Sequence, residues 1–488
     1  MSSNIRVRFA PSPTGLLHIG GVRTALFNYL FAQQGGGQFI LRLEDTDQER
    51  FVPEGVKQIV EGLSWLSLEP DEGFWISHGK QKGIDYIQSN RHQAGAYQQW
   101  ANKLVEAGLA YRSQIAPEKF KQLKAAAEKS GQPWVYRRTM EEAAKGDHDQ
   151  HPIRVDVAAV AKKLGWNQIT WRDEIRGEFE TGLGLIEDFI IIKSDSYPTY
   201  NFANVIDDHD MKISQVIRGD EFIASTAKHV LLYGVFGWDQ PDFIHLPVIN
   251  GSDGKKLSKR TGDTDILEYR KQGYLAEAVI NFLALLGWNP GSGETQEIFS
   301  RSQLTKRFSL ERIQKSPAVF DPARLDWMNG EYIRAMKPEE LLNQLVAFLG
   351  ETNLAVQLKH DPAYSLAAIE LIQERMKKLS EAQELLGFFF NDPDPSQLEL
   401  PHGDAHKYLE VTAQVLSQNQ DIFSDAKDLE KLMRQKVLEQ AGADKPGPLF
   451  MAVRIAITGQ TATPGLFETM VALGPETVLR RLKAAATA

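Results

Sequence analysis

"IRVRFAPSPTGLLHIGG", residues 5–21, opens as a buried strand and then breaks on Pro11, Pro13 and Gly15 before a lone histidine and two more glycines. Ile5, Val7 and Phe9 alternate with Arg6 and Arg8, the period-2 pattern of a strand. "GVRTALFNYLFAQQ" comes next with Val22, Leu26, Tyr29 and Leu30 at helical spacing, and the glycines at 35–37 end that helix. "QFILRLEDTD" predicts a second strand from Gln38 to about Asp45, and "PEGVKQIVEGLSWL" predicts a second helix with Pro53 in its first turn. A strand, a helix and a second strand in this order open a parallel sheet.

In such a sheet ligands sit beyond the carboxyl ends of the strands, and a helix N-terminus offers unpaired N–H groups and a positive dipole end to phosphate. The break at 10–21 lies at both places. Pro11 and Pro13 stiffen it, while Gly15, Gly20 and Gly21 let backbone approach a ligand without a Cβ in the way. His18 is then placed to donate to a phosphate oxygen whose charge grows in a transition state. "HxG" alone also describes a proline-rich turn with a surface histidine, so its position after the first strand carries the weight. Neither G-x-G-x-x-G nor G-x-x-x-x-G-K-[ST] occurs, which disfavours the two common nucleotide cradles.

At 488 residues the chain exceeds what one hydrophobic core organises, and about three to five domains are expected. It is 42% hydrophobic and 24% charged, has no apolar run of the length a membrane span needs, and starts "MSSNIRVRFA" without a leader pattern. A soluble, cytoplasmic protein is the expectation. Zero cysteines exclude disulfides and thiolate catalysis and leave any structural zinc to 11 scattered histidines. The net charge of -9 argues against a wholly basic nucleic-acid binder but not against one basic face.

A second α/β pattern comes later. "LIEDFIIIK" predicts a buried strand, "ISQVIRG" another and "ASTAKHVLLYGVFG" a helix between glycines. Residues 111–190 separate the halves and differ in texture. Their first thirty hold seven Lys/Arg (Arg112, Lys119, Lys121, Lys124, Lys129, Arg137, Arg138) against Glu118 and Glu128, interleaved with Tyr111, Phe120, Trp134 and Tyr136. Cations with aromatic rings suit a single-stranded nucleic-acid end; the bland alternative is a solvated helix face over a small core. From about residue 323 alternation gives way to helical periodicity, as in "PEELLNQLVAFLG" and "KDLEKLMRQKVLEQ", and "NDPDPSQLELP" and "DKPGP" divide that tail.

The second chemical motif is "NGSDGKKLSKRTGD", residues 250–263, where glycines bracket Lys255, Lys256, Ser258, Lys259 and Arg260. A loop of this kind closes cations on a polyphosphate, although the pentamer alone equally describes a solvated basic surface.

Together, "HIGG" within 11–21 and "KLSKR" at 256–260 resemble the HIGH and KMSKS signatures of class I aminoacyl-tRNA synthetases. "APSPTG", "LRLEDTD", "YPTYNFANVIDDH", "VIRGDEF" and "FDPARLDWMNGEYI" are similar to the bacterial glutamyl-tRNA synthetase branch. The resemblance implies an α/β Rossmann-type catalytic domain in two halves, 1–110 and 191–322, the second with a stem-contact region. It implies an inserted acceptor-end-binding α/β domain at 111–190 and an all-α anticodon-binding region at 323–488, divided into two subdomains. It also implies ATP-dependent attachment of L-glutamate to tRNA-Glu through a glutamyl-adenylate, with Mg2+ and without zinc, by a monomer.

Carried over by motif position, His18, Lys256 and Lys259 are catalytic, and Thr14, His18, Gly20, Glu221, Val248, Ile249, Lys256, Ser258 and Lys259 hold ATP. Arg8, Ala10, Ser12, Glu44, Tyr200, Asn204 and Arg218 form the glutamate pocket, with Arg8 and Arg218 near the side-chain carboxylate and Glu44 facing the α-ammonium. Asp47, Phe222 and Gln373 are implied tRNA contacts. No metal ligand is implied. Gly21 replaces the second histidine of the signature and Arg260 its last serine, which shifts charge stabilisation toward Lys259. Some relatives restrict the third anticodon base with an arginine where Gln373 stands, so the resemblance extends to charging tRNA-Gln. For Arg8 the alternative is an edge position or a surface ion pair with Glu44. Two other functions fit parts of the chain: a HIGH-type nucleotidyltransferase acting on a small molecule, which leaves the tail idle, and a non-catalytic tRNA-binding protein, which needs no intact loop motif.

Overall fold

The structure, a computed structural model, describes residues 5–129, 131, 134–141, 151–258, 265–291, 293–401 and 403–488. The chain divides into two compact units, Met1–Glu268 with Val279–Pro322, and Tyr269–Ala278 with Ala323–Ala488.

In the first unit β1 (Arg6–Phe9) and β2 (Gln38–Leu41) run parallel, with Val7 opposite Phe39, and α1 (Ile19–Gly35) joins them. After α2 (Pro53–Trp65), β3 (Glu72–Gly73) pairs in parallel with β2. Beside the other edge of β1, Ser214 N donates to Arg6 O at 2.9 Å, and strand Gln215–Gly219 then runs parallel to Asp242–Leu246. Val7, Phe39, Ile40, Leu41, Ile217 and Ile244 are buried, the near-continuous apolar content of strands covered on both faces. From β1 the chain winds outward through α1 to β2, and from Gly219 it winds the other way through helix Ile223–Phe236 to Asp242–Leu246. The crevice between these diverging connections is where a ligand fits an open α/β sheet.

β2 ends at Leu41, short of the expected Asp45: Arg42 N still donates to Phe9 O at 3.1 Å, but from Leu43 on the partners change. Leu43 exchanges bonds with Tyr86 O and Gln88 N, and Glu44 N donates to Pro11 O at 3.1 Å. The stretch "LIEDFIIIK" also departs from expectation. Its strand is only Ile190–Ile192 and pairs antiparallel with Ile153–Val155, which in turn pairs with Ala110–Arg112 in a small separate sheet. Asp188 interrupts the apolar run, its buried carboxylate accepting from Val157 N, Arg138 N and Tyr111 Oη. Within 111–190 the hairpin Gln168–Asp173/Gly177–Gly182 joins the main sheet, with Asp173 opposite Phe243. Ile169, Trp171 and Asp173 face inward along that strand, alternating with exposed residues.

The second unit is helical throughout its described residues. Leu275 and Ala278 belong to its core, and Leu275 N donates to Asn329 Oδ1 at 2.8 Å, so 275–278 packs with the tail. "SLAAIELIQERMKKLSEAQELLGFFF" splits into helices Pro362–Ile372 and Ala382–Phe390 with short turns between. Buried Gln373 stands at the break, donating from Nε2 to Ile333 O and Met336 O at 2.8 Å. Among the described residues, no helix is long and apolar enough to cross a membrane.

Candidate active site

The crevice is a cleft of about 1090 Å³ whose floor is the first break in the chain. α1 starts immediately after His18, whose extended backbone makes it the N-cap; Nδ1 accepts from Gly21 N at 3.4 Å. With Nδ1 accepting, Nε2 is the proton-bearing nitrogen, a donor at a helix N-terminus. A Cβ on Gly20 would stand 3.3 Å from the imidazole, so glycine there lets ring and backbone share the floor. Pro13 O and Pro11 O accept from Val52 N and Glu44 N, which ties the break to the segment after β2.

All seven residues that the resemblance assigns to glutamate line this cleft. Their pairing differs from expectation. Arg8 is 3% exposed and forks onto Asp208, with Nε 3.0 Å from Oδ1 and Nη2 3.2 Å from Oδ2, so it neither lies at an exposed edge nor pairs with Glu44. Glu44 instead accepts on Oε1 from Arg42 at 2.8 Å and from Asn204 Nδ2 at 2.9 Å. The reason is a second arginine, Arg42, fully buried and bonded to Asp208 at 2.7 Å, which stands among Glu44, Asp207 and Asp208. Burial works against both charges, but the two guanidiniums hold the Asp208 carboxyl below the usual range. Asp208→Asn leaves those guanidiniums sharing too little negative charge, and a cost of about 3–5 kcal/mol is expected, read as a fall in the denaturant midpoint of the catalytic unit.

Two acceptors in this group stay open. Among the described residues Asn204 Oδ1 is buried without a partner, and the amide orientation is fixed because its Nδ2 faces a carboxylate, which can only accept. Glu44 Oε2 receives no hydrogen bond among the described residues.

Arg218 is the opposite case. It is 4% exposed, yet among the described residues no carboxylate pairs with it. Its donors meet neutral groups: Nε to His245 Nε2 at 3.0 Å, Nη1 to Tyr200 Oη at 3.0 Å and to His229 Nδ1 at 3.3 Å, Nη2 to Thr226 Oγ1 at 2.8 Å. Burial first, then the Arg218 charge, pushes His229 well below its ordinary value. For His245 burial lowers the value, the Asp173 hydrogen bond opposes, and Arg218 lowers it again. Both rings are therefore neutral acceptors at neutral pH. A buried guanidinium without an anion is costly, and the same cleft holds open acceptors for a cation. Such a pocket fits a ligand with a carboxylate at one end and an ammonium at the other.

The ATP set gathers less completely. Thr14, His18, Gly20, Glu221, Val248, Ile249 and Lys256 line the cleft, whereas Ser258 is exposed outside it and Lys259 lies outside the described residues. Lys256 is carried on a short turn in which Leu257 N donates to Ile249 O and Gly251 N to Lys255 O, both at 2.8 Å. Buried Arg23 on α1 donates to Pro247 O and so fixes the segment leading to Val248. Of the implied tRNA contacts, Asp47 and Phe222 line the cleft, Phe222 with its ring 5.1 Å from Tyr200; Gln373 lies in the helical unit. In the basic stretch 111–140 Tyr111 and Tyr136 are buried, and Tyr136 forms a small core with Ile115 on which Phe120 and Trp134 pack, their rings 5.5 Å apart. Lys119, Lys121, Lys124 and Lys129 remain exposed around it.

Sequence reasoning missed Arg42, Asp207, Asp208, Asp173, His229 and His245. Signals were present: "IDDHD" puts two acids on a helix between Ile206 and His209, and Arg42 sits between Leu41 and Leu43.

Residues 4–327 match the family model of the class I tRNA synthetase (E and Q) catalytic domain, and 340–486 match an anticodon binding domain. The glutamate–tRNA ligase of Elusimicrobium minutum is 42% identical over 490 residues, covering 99% of each chain. That of Chloroflexus aurantiacus is 43% identical over 508 residues, covering 99% of this chain and 98% of its own. A crystal structure of the Elizabethkingia meningosepticum glutamate–tRNA ligase in complex with its amino acid superposes with a TM-score of 0.83 at 33% identity, over 99% of both chains. With the catalytic and anticodon-binding models both matched and full-length relatives at this identity, the chain belongs to the glutamate–tRNA ligases, class I aminoacyl-tRNA synthetases.

Proposed function

We propose that this ligase makes glutamyl-tRNA in two steps within the one cleft, with Arg218 as counter-charge to the glutamate side chain. The observation that carries the proposal is Arg218 itself, a buried guanidinium bounded by neutral acceptors. The side-chain carboxylate completes its charge, and the α-ammonium meets Glu44 Oε2 and Asn204 Oδ1. Arg8 lines the same pocket but already carries Asp208, so it orders the wall more than it supplies charge.

In the first step an α-carboxylate oxygen attacks the α-phosphorus of ATP, and the bond to pyrophosphate breaks. His18 at the start of α1, with Lys256 and Lys259, meets the oxygen charge that grows on the phosphates. In the second, the 2'-OH of the terminal adenosine attacks the adenylate carbonyl carbon and AMP leaves. Both steps rest on positioning and electrostatics, and no side chain serves as nucleophile. Mg2+ would come with ATP as its phosphate complex and would screen the phosphate charge. With zero cysteines the chain has no thiolate for zinc. The exposed lysines of the insertion take the acceptor end, the helical unit takes the anticodon, and a cytoplasmic monomer suffices.

The proposal includes tRNA-Gln as a second acceptor. Gln373 is turned inward onto carbonyls, so this part rests on the missing arginine and not on a contact from Gln373. Charging assays with glutamate and glutamine on purified tRNA-Glu and tRNA-Gln test it: glutamate is accepted on both RNAs and glutamine on neither. Glutamate charging confined to tRNA-Glu removes the second acceptor, and amino-acid activation that proceeds equally well without RNA would favour a small-molecule nucleotidyltransferase.

A further inference from the structure

We infer that Asp173 and His245 form a positioning relay that fixes Arg218 while leaving its charge for the substrate. The inference rests on the assignment of Arg218 to the glutamate carboxylate. Asp173 Oδ2 accepts from both His245 N at 2.9 Å and His245 Nδ1 at 2.7 Å, and Oδ1 accepts from Ile175 N at 2.9 Å and Arg176 N at 2.7 Å. A carboxylate only accepts, so the imidazole proton is on Nδ1 and Nε2 presents a lone pair to the Nε–H of Arg218. His245 and Asp173 are both buried, and the pairing of Asp173 with Phe243 sets their register.

The arrangement does something a direct ion pair cannot. Arg8, forked by Asp208, shows the direct pair: the guanidinium is held and its charge is matched. At Arg218 the acid stands one imidazole away. It fixes the tautomer and strengthens Nε2 as an acceptor, yet among the described residues leaves the guanidinium without an anion in contact. A carboxylate touching Arg218 would compete with the substrate carboxylate for the same fork. Asp173 and His245 touch no substrate, and their effect passes through Arg218.

Asp173→Asn tests the relay. If Asn keeps its oxygen on Ile175 N and Arg176 N, its NH₂ faces Nδ1, the imidazole proton moves to Nε2, and two donors confront each other at Arg218. The KM for glutamate is expected to rise about 10- to 100-fold, the scale for losing an outer partner of a binding group, with the KM values for ATP and tRNA-Glu unchanged. His245→Leu is expected to match it, while His245→Gln, whose Oε1 can accept from Arg218, returns most of the loss. In the wild-type protein, 15N spectra of labelled histidine should show His245 protonated on Nδ1 and bare on Nε2 at pH 7. An imidazolium or an Nε2–H tautomer there overturns the relay even if the variants fail to fold. So does an unchanged glutamate KM in Asp173→Asn and His245→Leu, or equal rises for glutamate and ATP. If Arg218→Gln also leaves the glutamate KM unchanged, the assignment of Arg218 fails first; if it alone raises it, Arg218 stands and the relay falls.

Discussion

Arg218→Gln raises the glutamate KM by roughly 150- to 4,000-fold, and the fall in kcat/KM is confined to glutamate. The magnitude comes from leaving a substrate carboxylate buried without its charged partner, a loss of about 3–5 kcal/mol, where each 1.4 kcal/mol is about tenfold. The guanidinium also supplies a planar fork, which a compact ammonium does not reproduce, so Arg218→Lys recovers only part of the loss. Steady-state aminoacylation with glutamate varied at saturating ATP and tRNA-Glu measures both variants. An unchanged glutamate KM in Arg218→Gln removes this residue from the pocket and leaves its buried, unmatched charge without a function.

His18→Ala slows glutamate activation by about 10²- to 10³-fold, the usual scale for removing one preorganised donor to a developing oxyanion. The residue has a second task that must be separated from the first. As the N-cap of α1 it accepts from Gly21 N, and a lost cap costs about 1 kcal/mol of stability whatever the chemistry. His18→Asn separates the two, since asparagine is a good N-cap but does not place a donor where the imidazole Nε2 stands. ATP–pyrophosphate exchange in the presence of tRNA-Glu should remain as low in His18→Asn as in His18→Ala, while the thermal midpoint returns toward wild type. Recovery of exchange in His18→Asn would make His18 a structural cap only.

The fold was legible where one local signal sufficed. Alternation in 5–9, the break at 10–21 and the apolar helix after it define the first βαβ unit, and those signals need no distant partner. Legibility ended where partners lie far apart in sequence. β2 stops at Leu41 because its continuation bonds to Tyr86 and Pro11, and no local pattern announces those acceptors. The hairpin 168–182 does alternate, with Ile169 and Trp171 inward, but only its pairing with Phe243 shows which sheet it joins. At the site, motifs located the walls and failed on the charges. Arg8 with Asp208 and His245 with Asp173 are separated by 200 and 72 residues, so one sequence shows four polar residues where the structure shows two pairs. Those pairings separate the two arginines that motif position places together: one is matched by an acid, the other is held by neutral rings.

A crystal structure with a non-hydrolysable glutamyl-adenylate analogue tests that distinction most directly. The side-chain carboxylate is expected within hydrogen-bond reach of Arg218 and the ammonium on Glu44 and Asn204. The phosphate mimic is expected beside the start of α1, with Arg8 still on Asp208. A side-chain carboxylate bound to Arg8 with Asp208 displaced, or one that leaves Arg218 untouched, would contradict the division of labour between the two arginines.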